Sequence, residues 1–511
     1  MKENNDCHME HRFNLIEEPW IPVVDVGLVS LRQIFTRTGS DAYRGLGGNP
    51  VQKIALTKLL LAIAQSAYTP KDEQDWRDLR AHGLANACMT YLEKWHDAFY
   101  LYGEKPFLQV PAIKAAKIQG FSVCMPEVAS GNNKFLTQCQ VAKDLSDADK
   151  AMLIVQSMGF CLRGKQTDNS VVLSPGYLGK EKTKGGRFPA SEAGANLGFK
   201  GFLHSFLIGG NIQETVWFNL FQRDQIEDLA CYSDGLGVAP WEDMPVGEAC
   251  PAAERLKSSL IGRLVPLSRF MLLTDDGLHY SGGIVHPEYT DGMIDPSITV
   301  ISSKKKTSAL WVNPEIRPWR FLTSLLSFMG GGQSDCYQLR ANLSRLAHSA
   351  NMVGIWSGGL SVKPNMDGQI ISGSDDYVDS VVFLNITDDS VSVGSIWYAN
   401  LHHEMDELSL LSKIVYGRVI GYFKSQEMDG KNIAAQSSNL FWQLCEPLFQ
   451  DLVAACHDES KMHALRPHFA RIVYHVYDLF CPKDTARQID AWAKNKPDTR
   501  KYLNFNHGAS Q

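Results

Sequence analysis

Apolar positions take helical spacing near both ends of the chain and short alternating runs between them. At the start, Phe13-Asn14-Leu15-Ile16 leads through Pro19-Trp20-Ile21-Pro22 into Val23. This predicts an ordered edge element with Trp20 as its core anchor. Asn49-Pro50 then introduces a helix, because proline is tolerated in a first turn, and Ile54, Leu56, Leu59, Leu60, Ala62 and Ile63 give it a broad buried face. A second helix is expected over 84–102, closed by Gly103 ahead of a Glu-Lys-Pro-Phe turn.

Between 110 and 221 a helical piece at 150–159 sits among long loops bearing glycine, asparagine and lysine. Loops of this length inside a compact domain are usually functional or mobile. Residues 265–300 predict a hairpin, with Met271-Leu272-Leu273 and Leu278-His279-Tyr280 flanking Asp275-Asp276-Gly277. A helix over 319–329 stops at Gly330-Gly331-Gly332, another spans about 339–350, and a strand-loop-strand unit follows over 353–385.

Beyond about residue 390 the strand signal fades. Four amphipathic stretches follow, roughly 395–427, 433–457, 461–480 and 485–501. Leu408, Leu411, Val415, Val419 and Tyr422, spaced by three and four, mark one buried stripe, and Leu440, Leu444, Leu448, Leu452 and Ala455 mark another. Turns this short make the helices antiparallel neighbours, so the tail is expected to form a bundle. The expected fold class is α+β: a large mixed α/β domain over 1–390 and a bundle over 391–511.

Composition narrows the function classes. The 511 residues carry 50 Lys+Arg against 56 Asp+Glu, a net charge of −6, which excludes a strongly basic nucleic-acid coat. With 44% hydrophobic and 21% charged residues the chain is an ordinary globular protein, neither disordered nor fibrous. Eleven cysteines without a C-x-x-C pair give no zinc ribbon and no thioredoxin-like motif, and free thiols in a reducing cytosol are expected. The polar first dozen residues lack a signal-peptide core, and no run of about 18 apolar residues exists, so a soluble cytoplasmic protein is expected, with no membrane partner.

Enzymatic signatures are weak. A phosphate loop would need Gly at Ser174, ahead of Gly179-Lys180, and Ser or Thr where Glu181 stands. His402-His403-Glu404 is the densest metal-like cluster, yet adjacent histidines on a helix diverge by about 100° and cannot share one ion, so a solvated helix face is the plainer reading. Paired carboxylates such as Asp375-Asp376 and Asp388-Asp389 sit in polar turns.

The basic clusters say more. Residues 163–187 supply Arg163, Lys165, Lys180, Lys182, Lys184 and Arg187 against Asp168 and Glu181, with Gly179, Gly185 and Gly186 interleaved. Glycines let a backbone approach phosphates, and lysines displace their counterions. A second patch, Lys304-Lys305-Lys306 with Arg317 and Arg320, lies beside Trp311 and Trp319.

At these residues the chain resembles the CasA large-subunit family of the type I-E CRISPR Cascade. The resemblance rests on separated stretches in order: Asn14-Leu15-Ile16 with Pro19-Trp20-Ile21-Pro22-Val23, Gly48-Asn49-Pro50, Gly103-Glu104-Lys105-Pro106-Phe107-Leu108-Gln109, and Pro126-Glu127-Val128-Ala129-Ser130-Gly131-Asn132-Asn133. Lys184-Gly185-Gly186, Glu214-Thr215-Val216-Trp217-Phe218-Asn219, Ser268-Arg269-Phe270 and Asp295-Pro296 complete it, together with the C-terminal bundle. It implies an α/β domain of unusual fold, a four-helix bundle, and a non-catalytic subunit without cofactor or metal. Such subunits recognise the protospacer-adjacent motif (PAM) of double-stranded DNA through the minor groove, start unwinding and R-loop formation, and dock the helicase-nuclease. The implied partners are the guide RNA, target DNA, the backbone and small Cascade subunits, and that nuclease; protein reads the tag and base pairing reads the rest.

The resemblance assigns sites residue by residue. Gly131, Asn132, Asn133, Lys134 and Phe135 match the loop on the guide-RNA handle, with Phe135 as the stacking aromatic. Lys184, Gly185, Gly186 and Arg187 match the PAM-backbone loop. The family's minor-groove lysine follows Tyr-x-Gly; here Tyr280-Ser281-Gly282 is followed by no lysine, so His286 or Lys304, Lys305 and Lys306 would substitute. The wedge hairpin keeps Gly358-Gly359 but not the family's glutamine, leaving Lys363, Pro364, Asn365 or Met366 to fill the space of the first unpaired bases. Lys413, Arg418, Lys424, Arg466 and Arg471 would line the displaced strand along the bundle. A metal-dependent hydrolase using His402 and His403, or a purely structural adaptor, are the alternatives.

Overall fold

The computed structural model describes residues 11–124, 145–160, 201–287, 295–302, 307–365, 368–370, 376–386 and 393–504. The chain divides into two compact units: the first takes in 1–319, 333–349 and 353–381, the second 320–332, 350–352 and 382–511.

The first unit opens on a hairpin, β1 (Ile21–Val23) with β2 (Gly27–Val29), and Trp20 is fully buried with its indole N–H on Leu15 O at 2.8 Å. Helix α1 (Pro50–Ala67) starts where the sequence places it: Asn49 caps it in a box with Gln52, and Pro50 takes the first turn. Nearly every α1 side chain is buried, Lys58 included, so this is a central helix and not a surface one. Helix α2 (Glu73–Lys94) begins earlier than expected, because Asp72 caps a polar first half in which only Trp76 is buried and the apolar period is lost. It ends before Gly103, and Tyr100–Tyr102 is instead a strand paired with Arg12–Asn14.

After α3 (Asp147–Ser157) come β3 (His204–Ile208) and α4 (Ile212–Phe218). Trp76 and Trp217 stack at 4.2 Å and trade hydrogen bonds, each indole donating to the other's carbonyl, which pins α2 to α4. The expected hairpin is β4 (Arg269–Thr274) with β5 (Gly277–Gly282), and Ile118–Gln119 adds a third strand. A second antiparallel pair joins β6 (Val300–Ser302) to β7 (Thr307–Ala309). Strand β8 (Met352–Leu360) pairs antiparallel with β3, with Gly358 opposite His204, and leads into a small hairpin of β9 (Lys363–Asn365) and β10 (Gly368–Ile370). Strand β11 (Tyr377–Asn385) completes the sheet order β11-β8-β3 and carries the chain on into the second unit.

The second unit is built on three long helices, α5 (Ile396–Lys424), α6 (Lys431–Ala455) and α7 (Glu459–Phe480). The fourth stretch is two short helices, α8 (Ala486–Lys494) and α9 (Arg500–Leu503), with Pro497 between them, where proline disfavours helix in the residue before it. The α5 stripe is buried as expected. The α6 stripe is rotated: Phe441, Cys445, Phe449 and Leu452 are buried while Leu440, Leu444 and Leu448 are only half-buried, because the larger rings take the core positions. The expected helix at 319–329 is broken into short turns, Pro318–Phe321, Leu322–Leu325 and Ser327–Gly330. Cysteines among the described residues are free thiols, and no helix there is long and apolar enough to cross a membrane.

Candidate nucleic-acid interface

Three segments nominated from sequence are far apart in the chain: the glycine loop near 184–187, the lysine run 304–306 and the hairpin entered at Lys363. Residues 131–135, 184–187, 304–306 and 366 lie outside the described residues, as do the side chains of Lys363, Pro364 and Asn365. Described residues beside the lysine run and the hairpin nevertheless meet in the first unit. Gly201 O accepts from Val312 N at 2.8 Å, and Leu203 N donates to Leu310 O at 3.0 Å. Phe202 stacks on Trp311 at 4.8 Å and forms a small core with Ile298 and Ala309, which ties it to β7 and to the residues just ahead of β6.

The hairpin end joins through glycine. Gly201 holds φ +74°, and a Cβ there would come within 2.7 Å of Leu360 O and 3.0 Å of Val362 N. On β8, a Cβ on Gly359 would meet Phe202 O at 2.6 Å, so Gly359 serves close backbone packing, whereas a Cβ on Gly358 would meet the side chains of Asp379 and Trp356. The node therefore joins the start of β3, the end of β8 and the residues on either side of the lysine run.

A buried polar chain runs behind it. Lys58 Nζ lies 2.6 Å from Asp295 Oδ2 and donates also to Arg263 O. Ser297 donates to Asp295 Oδ1 through both its hydroxyl (2.8 Å) and its N–H (3.1 Å), and His204 Nδ1 stands 2.8 Å from the Ser297 hydroxyl. Burial alone would raise the Asp295 carboxyl, but the charges of Lys58 and His204 and the hydrogen bonds from Lys58 and Ser297 hold it at about 2. Burial also pushes Lys58 down, with Asp295 opposing. Each partner of the pair thus favours the charged form of the other.

Two sequence nominations are corrected. His286 is buried and bonded through Nε2 to Pro266 O at 2.6 Å, and burial followed by the nearby Arg263 lowers it to about 3, so it is a neutral core residue and not a groove-reading cation. Arg466 is likewise buried, ion-paired with Glu404 and donating to Tyr502 O at 3.1 Å, so it is absent from the basic path along the bundle. Lys413, Arg418, Lys424 and Arg471 are not buried, and they stand on α5 and α7. Glu404 points into the core while His402 pairs with Asp406 at the surface, so the His402-His403-Glu404 cluster does not converge on one ion. Sequence reasoning missed Phe202, His204 and Ser297; only the Asp295-Pro296 dipeptide signalled the place.

A family model for the CRISPR-associated protein Cse1 matches residues 14–476. The chain belongs to the CRISPR-associated Cse1 family. The Cse1 family is also reached by sequence: a CRISPR-associated protein CasA/Cse1 of Thermus thermophilus is 28% identical over 355 residues, 65% of this chain. The chain thus spans just under two thirds of that relative's length, 64%. Among solved structures, Thermobifida fusca Cse1 superposes with a TM-score of 0.75 at 19% identity, covering 98% of this chain and 96% of the other. Thermus thermophilus CasA (Cse1) gives 0.69 at 17%, covering 95% and 98%. A chain of a CRISPR RNA-guided surveillance complex gives 0.64 at 14%, covering 96% and 99%. At these identities the likeness is one of fold, and it extends over nearly the whole Cse1 chain.

Proposed function

We propose that this chain is the non-catalytic large subunit of an RNA-guided CRISPR surveillance complex and reads the PAM of duplex DNA. In this reading the loop of Lys184, Gly185, Gly186 and Arg187 approaches the phosphate backbone, where glycines permit contact and the cations displace counterions. Lys304, Lys305 and Lys306 supply the minor-groove charge, and the hairpin with Pro364, Asn365 and Met366 wedges between the first separated bases. The segment from Gly131 to Phe135 contacts the guide-RNA handle. Lys413, Arg418, Lys424 and Arg471 receive the displaced strand, and the helicase-nuclease docks on the assembled subunit.

The observation that supports this reading is a common root: described residues beside the lysine run and the hairpin, nominated separately, meet at one node around Phe202 and Trp311. Loops that must touch one short stretch of duplex need such a shared base. A binding selection on randomised flanking sequence, with the complex reconstituted on guide RNA, is expected to enrich one short motif. Gly185→Trp is expected to assemble normally and weaken binding to that duplex by about tenfold or more. Wild-type affinity in an assembled Gly185→Trp complex would remove the glycine loop from the interface, and absence of any enriched motif would leave the adaptor role instead.

A further inference from the structure

The chain Lys58–Asp295–Ser297–His204 is largely shielded from solvent: Lys58 is 1% exposed, Ser297 1% and His204 0%, with the Asp295 side chain at 9%. It crosses three parts of the first unit, since Lys58 sits on α1, Asp295 and Ser297 on the arm that becomes β6, and His204 on β3. Its polarity is directional. The Ser297 hydroxyl gives its proton to Asp295, so it can only accept from His204, which requires a proton on Nδ1. Backbone bonds repeat the same junction: Ser205 N donates to Ser297 O at 2.8 Å, and His204 bridges Ile298. On its other edge His204 stands opposite Gly358 in the β3–β8 register, two residues before the end of the strand that leads to the hairpin. Next to Ser297 in the chain, Ile298 packs in the core with Phe202 and Ala309.

A buried ion pair flanked by hydroxyl and imidazole is a poor source of stability, because desolvation cancels most of the Coulomb gain. A hydrogen-bonded network in low dielectric does specify geometry, since each member admits one orientation of the next. Here the geometry specified is the angle between the arm bearing the lysine run and the strand pair bearing the hairpin.

We propose that His204 and Ser297, anchored on the Lys58–Asp295 pair, are positioning residues that set the DNA-reading loops in register with one another. The inference rests on the PAM-reading function proposed above and deepens it. None of the four side chains touches DNA. They act by holding the arm against β3, so that the cations on one loop and the wedge on another address neighbouring base pairs.

The test measures a ratio in the reconstituted complex: affinity for a duplex carrying the enriched flanking motif over affinity for the same duplex with that motif scrambled. Ser297→Ala, which removes one hydroxyl and leaves the packing, is expected to lower the ratio by about tenfold with assembly intact. His204→Leu is expected to lower it similarly, and His204→Asn, which keeps a donor near Nδ1, to restore most of it. A role confined to stability would lower the thermal transition and weaken both duplexes alike, leaving the ratio where it was. An assembled Ser297→Ala complex with the wild-type ratio would overturn the inference while leaving PAM reading standing. A wild-type complex with a ratio near one would overturn PAM reading and this inference together. Should His204→Leu fail to assemble, Ser297→Ala carries the decision alone.

Discussion

His286 is held neutral by burial beside Arg263, with its pKa lowered to about 3, whereas in the unfolded chain it titrates near 6.5. Below that value the unfolded chain takes up a proton that the folded chain refuses. The stabilisation is therefore whole above about pH 6.5 and is lost as the pH falls toward 3, on the order of 4 kcal/mol across the window. Denaturant titrations at pH 7, 5 and 4 are expected to show this loss, and His286→Gln, which keeps a donor for Pro266 O, is expected to flatten it. A pH profile unchanged by the substitution would assign the acid loss to other groups. The same residue marks a limit of sequence reading. That His286 and Arg466 are basic is plain in the letters; that both face inward depends on partners at residues 266 and 404, far along the chain. Gly358-Gly359 was legible as a pair, but its reason, contact with Phe202 and Asp379, was not.

At the scale of elements, helices that carry their own signals were legible to within a turn, as with the Asn49-Pro50 start of α1 and the spans of α5, α6 and α7. Elements that depend on neighbours were not: the polar half of α2, the broken turns after Pro318 and the rotated stripe of α6 are set by tertiary packing. In the bundle, Arg466 joins α7 to Glu404 of α5 and to the carbonyl of Tyr502 in α9, with the guanidinium 5.2 Å from the Tyr502 ring centroid. Removing one buried partner strands the other, so Glu404→Ala is expected to destabilise the second unit by about 3–5 kcal/mol. Replacing both, as Glu404→Leu with Arg466→Met, is expected to recover most of that loss in thermal unfolding. A double variant no better than the single one would mean the pair contributes more than the cancellation of its own burial. At the sheet, Gln450 of α6 clasps the backbone of Phe383 in β11, giving and accepting one bond at 2.8 and 3.0 Å, and so covers a strand edge open to intermolecular pairing.

For the whole molecule, the order of separated motifs was legible and gave the family, while the division of the chain into units was not simple to read, because the second unit recruits Arg320–Gly332 from the middle of the sequence. Within it, the Arg320 guanidinium lies 4.0 Å from the Trp442 ring centroid, Tyr398 donates to Thr323 O at 2.8 Å, and Gly394 N donates to Met329 O at 2.7 Å. A fragment of residues 391–511 lacks all three contacts. It is expected to unfold at lower temperature than the second unit does in the full chain, and a peptide of residues 320–332 added in excess is expected to raise the transition. No effect of the peptide would mean the helices hold together without that segment. The node around Phe202 has a further consequence, in time. Its parts come from residues 201–204, 295–312 and 358–362, so its contacts close only over long loops and form late. During synthesis α1 and α2 can pack as soon as they emerge, but the node stays incomplete until Leu360 has left the ribosome. A growing chain thus passes most of its length before this junction can close, and a truncated product that ends earlier never closes it.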